Sequence, residues 1–310
     1  MTSAPQPLPV FQTVGTPRLR AAILFLVSTA IWSVSSASSL PEGTDVFEFS
    51  SFTEVEGLFE ERGYTPENWQ KGIKEVPRLY LSHIPERWRS ATSQTISVQK
   101  KKQIFFRILG PLVLRANELI LEDRNWLLSR TVHESNPRLA ALREAYRIRD
   151  GSIEELMSRV DVVPTSLVLA QAAEESGWGT SRFADLGNAL FGQWTYGAGI
   201  APLQRRKEKG QYSIAAFDSP LGSIRAYLQN INSHPAYREL RKLRAAARTK
   251  GGVASGYDLA KTLTKYSERG EDYVHSLHAI MRVNKLAPTD SAFLTRTKAV
   301  VLLPVGDNSN

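Results

Sequence analysis

Apolar positions follow three different patterns along the chain, and each predicts a different element. From Ala21 to Val34 they run almost without interruption and without a charge. Further on, Phe105, Leu109, Leu112, Ala116 and Leu119 recur at steps of four and three, the signature of a helix with one buried stripe. Gly110-Pro111 falls inside that stripe, and proline removes a backbone donor and crowds the preceding turn. Lys100 to Arg130 is therefore predicted as two short packed helices or one bent helix, not a coiled coil. From Leu167 to Ala173 small and apolar residues occupy nearly every face, which predicts a helix buried all round. Pro164 suits its first turn, and Gly177 and Gly179 suit its end, where left-handed backbone is needed. Glu174 and Glu175 then fall in its last turn, pointing about 100° apart.

The uninterrupted run follows Arg18 and Arg20 and leads into Ser35-Ser36-Ala37-Ser38-Ser39. A basic flank, an apolar core and a small-residue exit predict a secretory signal peptide, with cleavage after Ala37 as one option. The alternative is an uncleaved membrane anchor, giving membrane association through residues 21–37. Either form places the remainder outside the cytoplasm, in the periplasm or cell envelope, and the second ties it to the inner membrane. Four segments follow: 1–39 as signal or anchor, 40–150 as a helical N-terminal region punctuated by Pro66, Pro77 and Pro85, 151–286 as a second folded region, and 287–310 as an irregular tail. Within that tail Val300-Val301-Leu302-Leu303 suits a short strand or a mobile end.

Composition narrows the chemistry. The 310 residues, 42% of them hydrophobic, suffice for one sizeable core or two modest ones. There is no cysteine, which excludes disulfides and Cys-ligated metal sites, and the five histidines show no metal-ligand spacing. No metal or other cofactor is expected. The net charge of +8 suits any polyanion and chooses none. The clusters Lys100-Lys101-Lys102, Arg205-Arg206-Lys207 and Arg238 to Lys250 lack interleaved aromatics or a nucleic-acid motif, so they read as solvated faces and not as a nucleic-acid site. Gly251-Gly252 is a loop signal, and no phosphate-binding loop is present.

The chemistry concentrates at Ala173-Glu174-Glu175-Ser176-Gly177-Trp178-Gly179-Thr180-Ser181 and Gly187-Asn188-Ala189-Leu190-Phe191-Gly192-Gln193-Trp194. A carboxyl group held among apolar and aromatic groups keeps its proton to higher pH, as a general acid for glycosidic cleavage requires. Trp178, Trp194 and Tyr196 offer flat faces for pyranose rings, with ordinary core packing as the competing role for the tryptophans; Phe191 reads as core. The Asn188 amide suits either fixing its own loop or contacting an N-acetyl group. Polar and basic residues between Trp194 and Phe217 predict a loop or small β-hairpin forming a second wall.

These words resemble the signature of the bacterial glucosaminidase family, and most closely its Bax-type branch. The resemblance covers residues 151–286 and is joined by Phe217 to Leu228, Asn230 to Tyr237 and Tyr266 to Tyr273. It implies an α+β, mainly α, lysozyme-like domain with a small hairpin or loop lobe, preceded by a helical region. The implied activity is that of an endo-β-N-acetylglucosaminidase cutting the β-1,4 bond after N-acetylglucosamine in peptidoglycan glycan strands. Glu175 maps onto the family's general acid, and Glu174 onto a variable position suited to a salt bridge. In the wider family the hairpin lobe can carry a second carboxylate; Glu208 is the nearest candidate and Asp218 a weaker one, and the local spacing departs from the family's. Without such a base the substrate's 2-acetamido group can act instead. A late tyrosine near the acid maps onto Tyr273 in preference to Tyr266, although one extra residue separates the pair here. A lytic transglycosylase and an inactive wall-binding scaffold are the rival readings.

Overall fold

Most helices begin where a short polar side chain can accept a hydrogen bond from a first-turn amide. Ser51, Thr65, Ser97, Asn136, Ser152, Ser181, Ser219 and Ser255 all do so. The computed structural model describes residues 43–129, 133–149, 151–203 and 211–306. Residues 21–37, the 205–207 cluster and Glu208 lie outside the described residues. The first part comprises β1 (Asp45–Phe49), α1 (Phe52–Glu61), α2 (Pro66–Gln70), β2 (Glu75–Val76), β3 (Leu79–Leu81), a π-helical turn over Trp88–Thr92, α3 (Ser93–Thr95), α4 (Val98–Leu128) and α5 (Pro137–Ala145). Next come α6 (Ile153–Arg159), α7 (Thr165–Ser176), α8 (Arg182–Gly187), and the antiparallel pair β4 (Trp194–Thr195) and β5 (Ser213–Ile214). The last part holds α9 (Pro220–Ser233), α10 (Arg238–Thr249), α11 (Gly256–Ala260), α12 (Glu271–Val283), β6 (Phe293–Leu294) and β7 (Val300–Pro304). The fold is α+β and mainly helical.

Helix α4 runs for 31 residues through Pro111, so of the two alternatives it is one helix and not two short ones. Every residue from Ile104 to Leu114 is buried, packed between β3, α7 and α9. A mid-helix proline costs roughly 3 kcal/mol, whereas each fully buried Phe or Leu returns roughly 1.5–3 kcal/mol. Phe105, Leu109 and Leu112 outweigh the proline. Gly110 serves a close approach, since a Cβ there would lie 2.8 Å from the Tyr64 hydroxyl.

Two further expectations change. Residues 287–310 are not an irregular tail throughout: β7 is the middle strand of a three-stranded parallel sheet, order β1-β7-β3, with Asp45 opposite Val300 and Leu79 opposite the same residue. Its Leu302 is fully buried. The 40–150 region accordingly contains strands as well as helices, and one hydrophobic core runs from Phe49 to Leu302 without a gap near residue 150. The basic stretch Arg238 to Lys250 is also not simply a solvated face, because Arg241 and Arg244 are each 4% exposed. Arg241 donates to the carbonyls of Ile231 and His234, satisfying acceptors that the end of α9 leaves open. Arg244 donates to the carbonyls of Asp161, Val162 and Ser158 and to Asn232 Oδ1. Asp161, likewise buried, takes a 2.8 Å bond from Arg248 Nε. Such charges fold inward because backbone acceptors and one carboxylate meet them there.

Candidate active site

Helix α7 carries its last-turn carboxylates to a tightly wound exit. Gly177, Trp178 and Gly179 have φ of 58°, 65° and 76°, three left-handed residues in succession. That backbone suits the glycines and costs Trp178 roughly 1–2 kcal/mol. Neighbours hold it in place. Ser176 Oγ accepts from Gly179 N at 2.8 Å, and the Trp178 carbonyl accepts from Trp88 Nε1 at 3.0 Å. The Trp178 ring meets Phe105 and Phe106 of α4 edge to face, with centroids 5.8 and 5.3 Å apart, and Lys102 Nζ sits 4.8 Å from its centroid. Trp178 is thus packed on the N-terminal part of the fold, which braces the turn that follows the acid.

Glu175 is desolvated, and this pushes its carboxyl up to about 8; the neighbouring Glu174 charge adds to the rise, while a Tyr273 hydrogen bond and Arg269 oppose it. At neutral pH the group holds its proton. The Tyr273 hydroxyl donates to Glu175 Oε1 at 2.7 Å. This occupies one oxygen as acceptor and leaves Oε2 to carry the acidic proton. Tyr273 comes from the first turn of α12, which packs along α7. Its hydroxyl accepts from Gln171 Nε2 at 2.9 Å, and Gln171 Oε1 accepts in turn from the Tyr227 hydroxyl on α9. Burial holds both tyrosines in the phenol form, raising their proton affinity well above that of an ordinary phenol. Tyr266 lies flat against Tyr273 at 5.3 Å between centroids, and Phe191 against Tyr227 at 4.0 Å. It is Tyr273, not Tyr266, whose hydroxyl reaches Glu175.

Glu174 takes a different course, ion-paired with Arg269. The other sequence candidates separate. Asn188, the left-handed cap of α8, accepts from Ile84 N at 2.8 Å and donates to the Phe217 carbonyl at 2.9 Å, so its amide ties loops together. Trp194 is 2% exposed and stacked on Tyr212 at 4.1 Å, which makes it the core of the hairpin and leaves no free face for a sugar in this arrangement. Tyr196, beside it, is 55% exposed and offers such a face. Asp218 is exposed at the entrance to α9.

Gln171 and Tyr227 were not legible as site residues, and Trp88 was not legible as a brace. For Gln171 a signal was available: it is the one polar residue in Leu167 to Ala173 and stands four positions before Glu175, hence on the same face of the helix. Tyr227 and Trp88 reach the site through tertiary packing alone. Among the described residues no cluster of three or more acidic or histidine side chains is placed to hold a metal ion.

A desolvated, protonated glutamate held by a tyrosine hydroxyl at the end of a buried helix suits a glycosidase, and comparison with known proteins points to the same class. Residues 151–286 match the family model described as Glucosaminidase, mannosyl-glycoprotein endo-beta-N-acetylglucosaminidase. The chain is 34% identical to Protein Bax of Escherichia coli (strain K12) over 196 residues, which covers 60% of this chain and 70% of that protein. The chain belongs to this Bax-type family of glucosaminidase-domain proteins. The helical fold is consistent with a lysozyme-like domain of that kind. No solved structure matches the chain.

Proposed function

We propose that this protein is an exported endo-β-N-acetylglucosaminidase that hydrolyses the β-1,4 bond after N-acetylglucosamine in peptidoglycan, with Glu175 as general acid. The observation that carries the reading is the desolvated Glu175 carboxyl, pushed up to about 8 and oriented by Tyr273. A group protonated at neutral pH can give its proton to the leaving oxygen as the bond breaks, and the resulting carboxylate is stabilised by the Tyr273 hydroxyl. Tyr196, exposed beside the hairpin strand β4, would supply an aromatic face for a sugar ring. We assign water activation to Glu208, which lies between β4 and β5 in sequence, since Glu174 is committed to Arg269. That assignment predicts inversion at the anomeric carbon; participation of the 2-acetamido group predicts retention. The segment 21–37 would deliver the enzyme to the cell envelope.

The test compares wild type, Glu175→Gln and Glu208→Gln on purified sacculi. Wild type should release reducing N-acetylglucosamine ends, and Glu175→Gln should lose at least about a hundredfold in rate, the usual worth of a general acid. Equal release by Glu175→Gln would refute the assignment. Anhydro-sugar products in the mass spectrum would instead identify a lytic transglycosylase, and sacculus binding without turnover a scaffold.

A further inference from the structure

Away from the Glu175 carboxyl, a cavity of about 420 Å³ opens between α2, the first turns of α4 and the end of α12. Its size falls in the range of about 300–1,000 Å³ typical of small-ligand sites. Trp69 and Phe106, stacked with centroids 6.4 Å apart, form its apolar wall. Its polar lining is Gln70, Gln99, Gln103, Lys102, Arg107 and Asn284. The three glutamine amides make no hydrogen bond to any described residue, and Lys102 has no carboxylate partner among the described residues, although Lys100, two positions earlier, is paired with Glu56 at 2.9 Å. Buried Arg107 behind them is already engaged by Glu56 and by the Tyr64 carbonyl.

This lining selects a class of ligand. A side-chain amide both donates and accepts, matching the N–H and C=O of a peptide group, and an ammonium whose contact is an aromatic face and not a carboxylate matches an incoming carboxylate. A sugar chain would call for broad exposed aromatic faces, whereas Trp69 and Phe106 are only 6% and 3% exposed. The cavity also borders the catalytic turn, because Lys102 stands over the ring of Trp178. Trp178 is three residues after Glu175, so their Cα atoms are at most about 11 Å apart.

We propose that this cavity binds the carboxylate-bearing peptide stem carried by the glycan strand, with Lys102 taking a carboxylate and the three glutamines the peptide groups. The proposal rests on the peptidoglycan reading above and deepens it, since it makes the enzyme selective for strands that carry peptides. The Lys100 to Lys102 cluster acquires a function through its third member.

The experiment measures binding of free stem peptide, released from sacculi by an amidase, to full-length Glu175→Gln protein by calorimetry. Binding should weaken about tenfold on adding Lys102→Met and again on adding Gln70→Ala with Gln99→Ala, the usual effect of losing a charge-assisted bond or two neutral ones. Gln70 and Gln99 are exposed, so the double alanine variant keeps the fold and should keep the rate on peptide-free glycan strands while KM on peptide-bearing strands rises. Absence of peptide binding, or binding indifferent to all three substitutions, would overturn the proposal. So would equal loss of peptide-bearing and peptide-free substrates in the alanine variant. Peptide binding by a wild-type protein with no hydrolytic activity would support the cavity and sink the glycosidase reading, which keeps the two claims separable.

Discussion

Burial raises the proton affinity of Glu175 because water no longer solvates its anion, and the Tyr273 bond recovers part of that loss. Two consequences can be measured. The first concerns rate. With Glu175 as acid, activity should fall as pH rises through about 8, and Tyr273→Phe should move that limb to still higher pH, because the bond it removes favours the anion. Gln171→Leu should shift the same limb without touching substrate, marking Gln171 as a positioning residue; a change in kcat with an unmoved pH profile would count against this role. The second concerns stability. Well below pH 4.5 the carboxyl is neutral whether the chain is folded or unfolded. Between there and pH 8 the unfolded chain loses the proton while the folded one keeps it, so this group lowers stability as pH rises, and the loss is complete above about 8. Glu175→Gln removes it. The variant should nearly match wild type at about pH 4 and exceed it at about pH 8 by a few kcal/mol at most, since a tenfold change in proton affinity is worth about 1.4 kcal/mol. Melting curves at the two pH values read the difference directly.

At the scale of single elements, the turn after α7 is the part most exposed to small substitutions. A Cβ at Gly179 would lie 3.1 Å from Trp88 Nε1 and 3.4 Å from Phe105, at a φ of 76° that side chains disfavour. Gly179→Ala should cost about 1–3 kcal/mol and lower activity by displacing the turn behind the acid. Trp88→Phe keeps most of the packing and deletes only the bond to the Trp178 carbonyl, for about 1 kcal/mol. Denaturant titration ranks the two, and a Trp88→Phe loss larger than that of Gly179→Ala would contradict the clash. The sequence signalled this element well: the glycines and the all-round apolar helix are local features. Helix α4 shows the opposite, since Pro111 is a local signal that burial on several sides overrides.

Across the whole molecule, β7 closes the fold by inserting between two strands from the beginning of the described chain. Leu302→Ala should therefore cost about 2–5 kcal/mol and loosen the region that braces Trp178, far from the strand in sequence. Because the core is continuous from Phe49 to Leu302, calorimetry should show one unfolding transition that moves as a unit in this variant; two transitions with only one displaced would mean that the halves are separately stable.

What the sequence determined by itself is whatever follows from neighbours along the chain. The buried helix ending at Gly177, the glycine turn after it and the hairpin after Trp194 all depend on spacings of a few residues. What only tertiary structure decided depends on residues brought together from a distance. Gln171 and Tyr227 line up behind Tyr273, Asn188 spends its amide on Ile84 and Phe217, Arg244 turns inward, and the last strand becomes the middle of a sheet. The physical reason is common to all of these: a polar or strand-forming residue takes its role from whichever partner completes its hydrogen bonds, and that partner is chosen by packing rather than by sequence position.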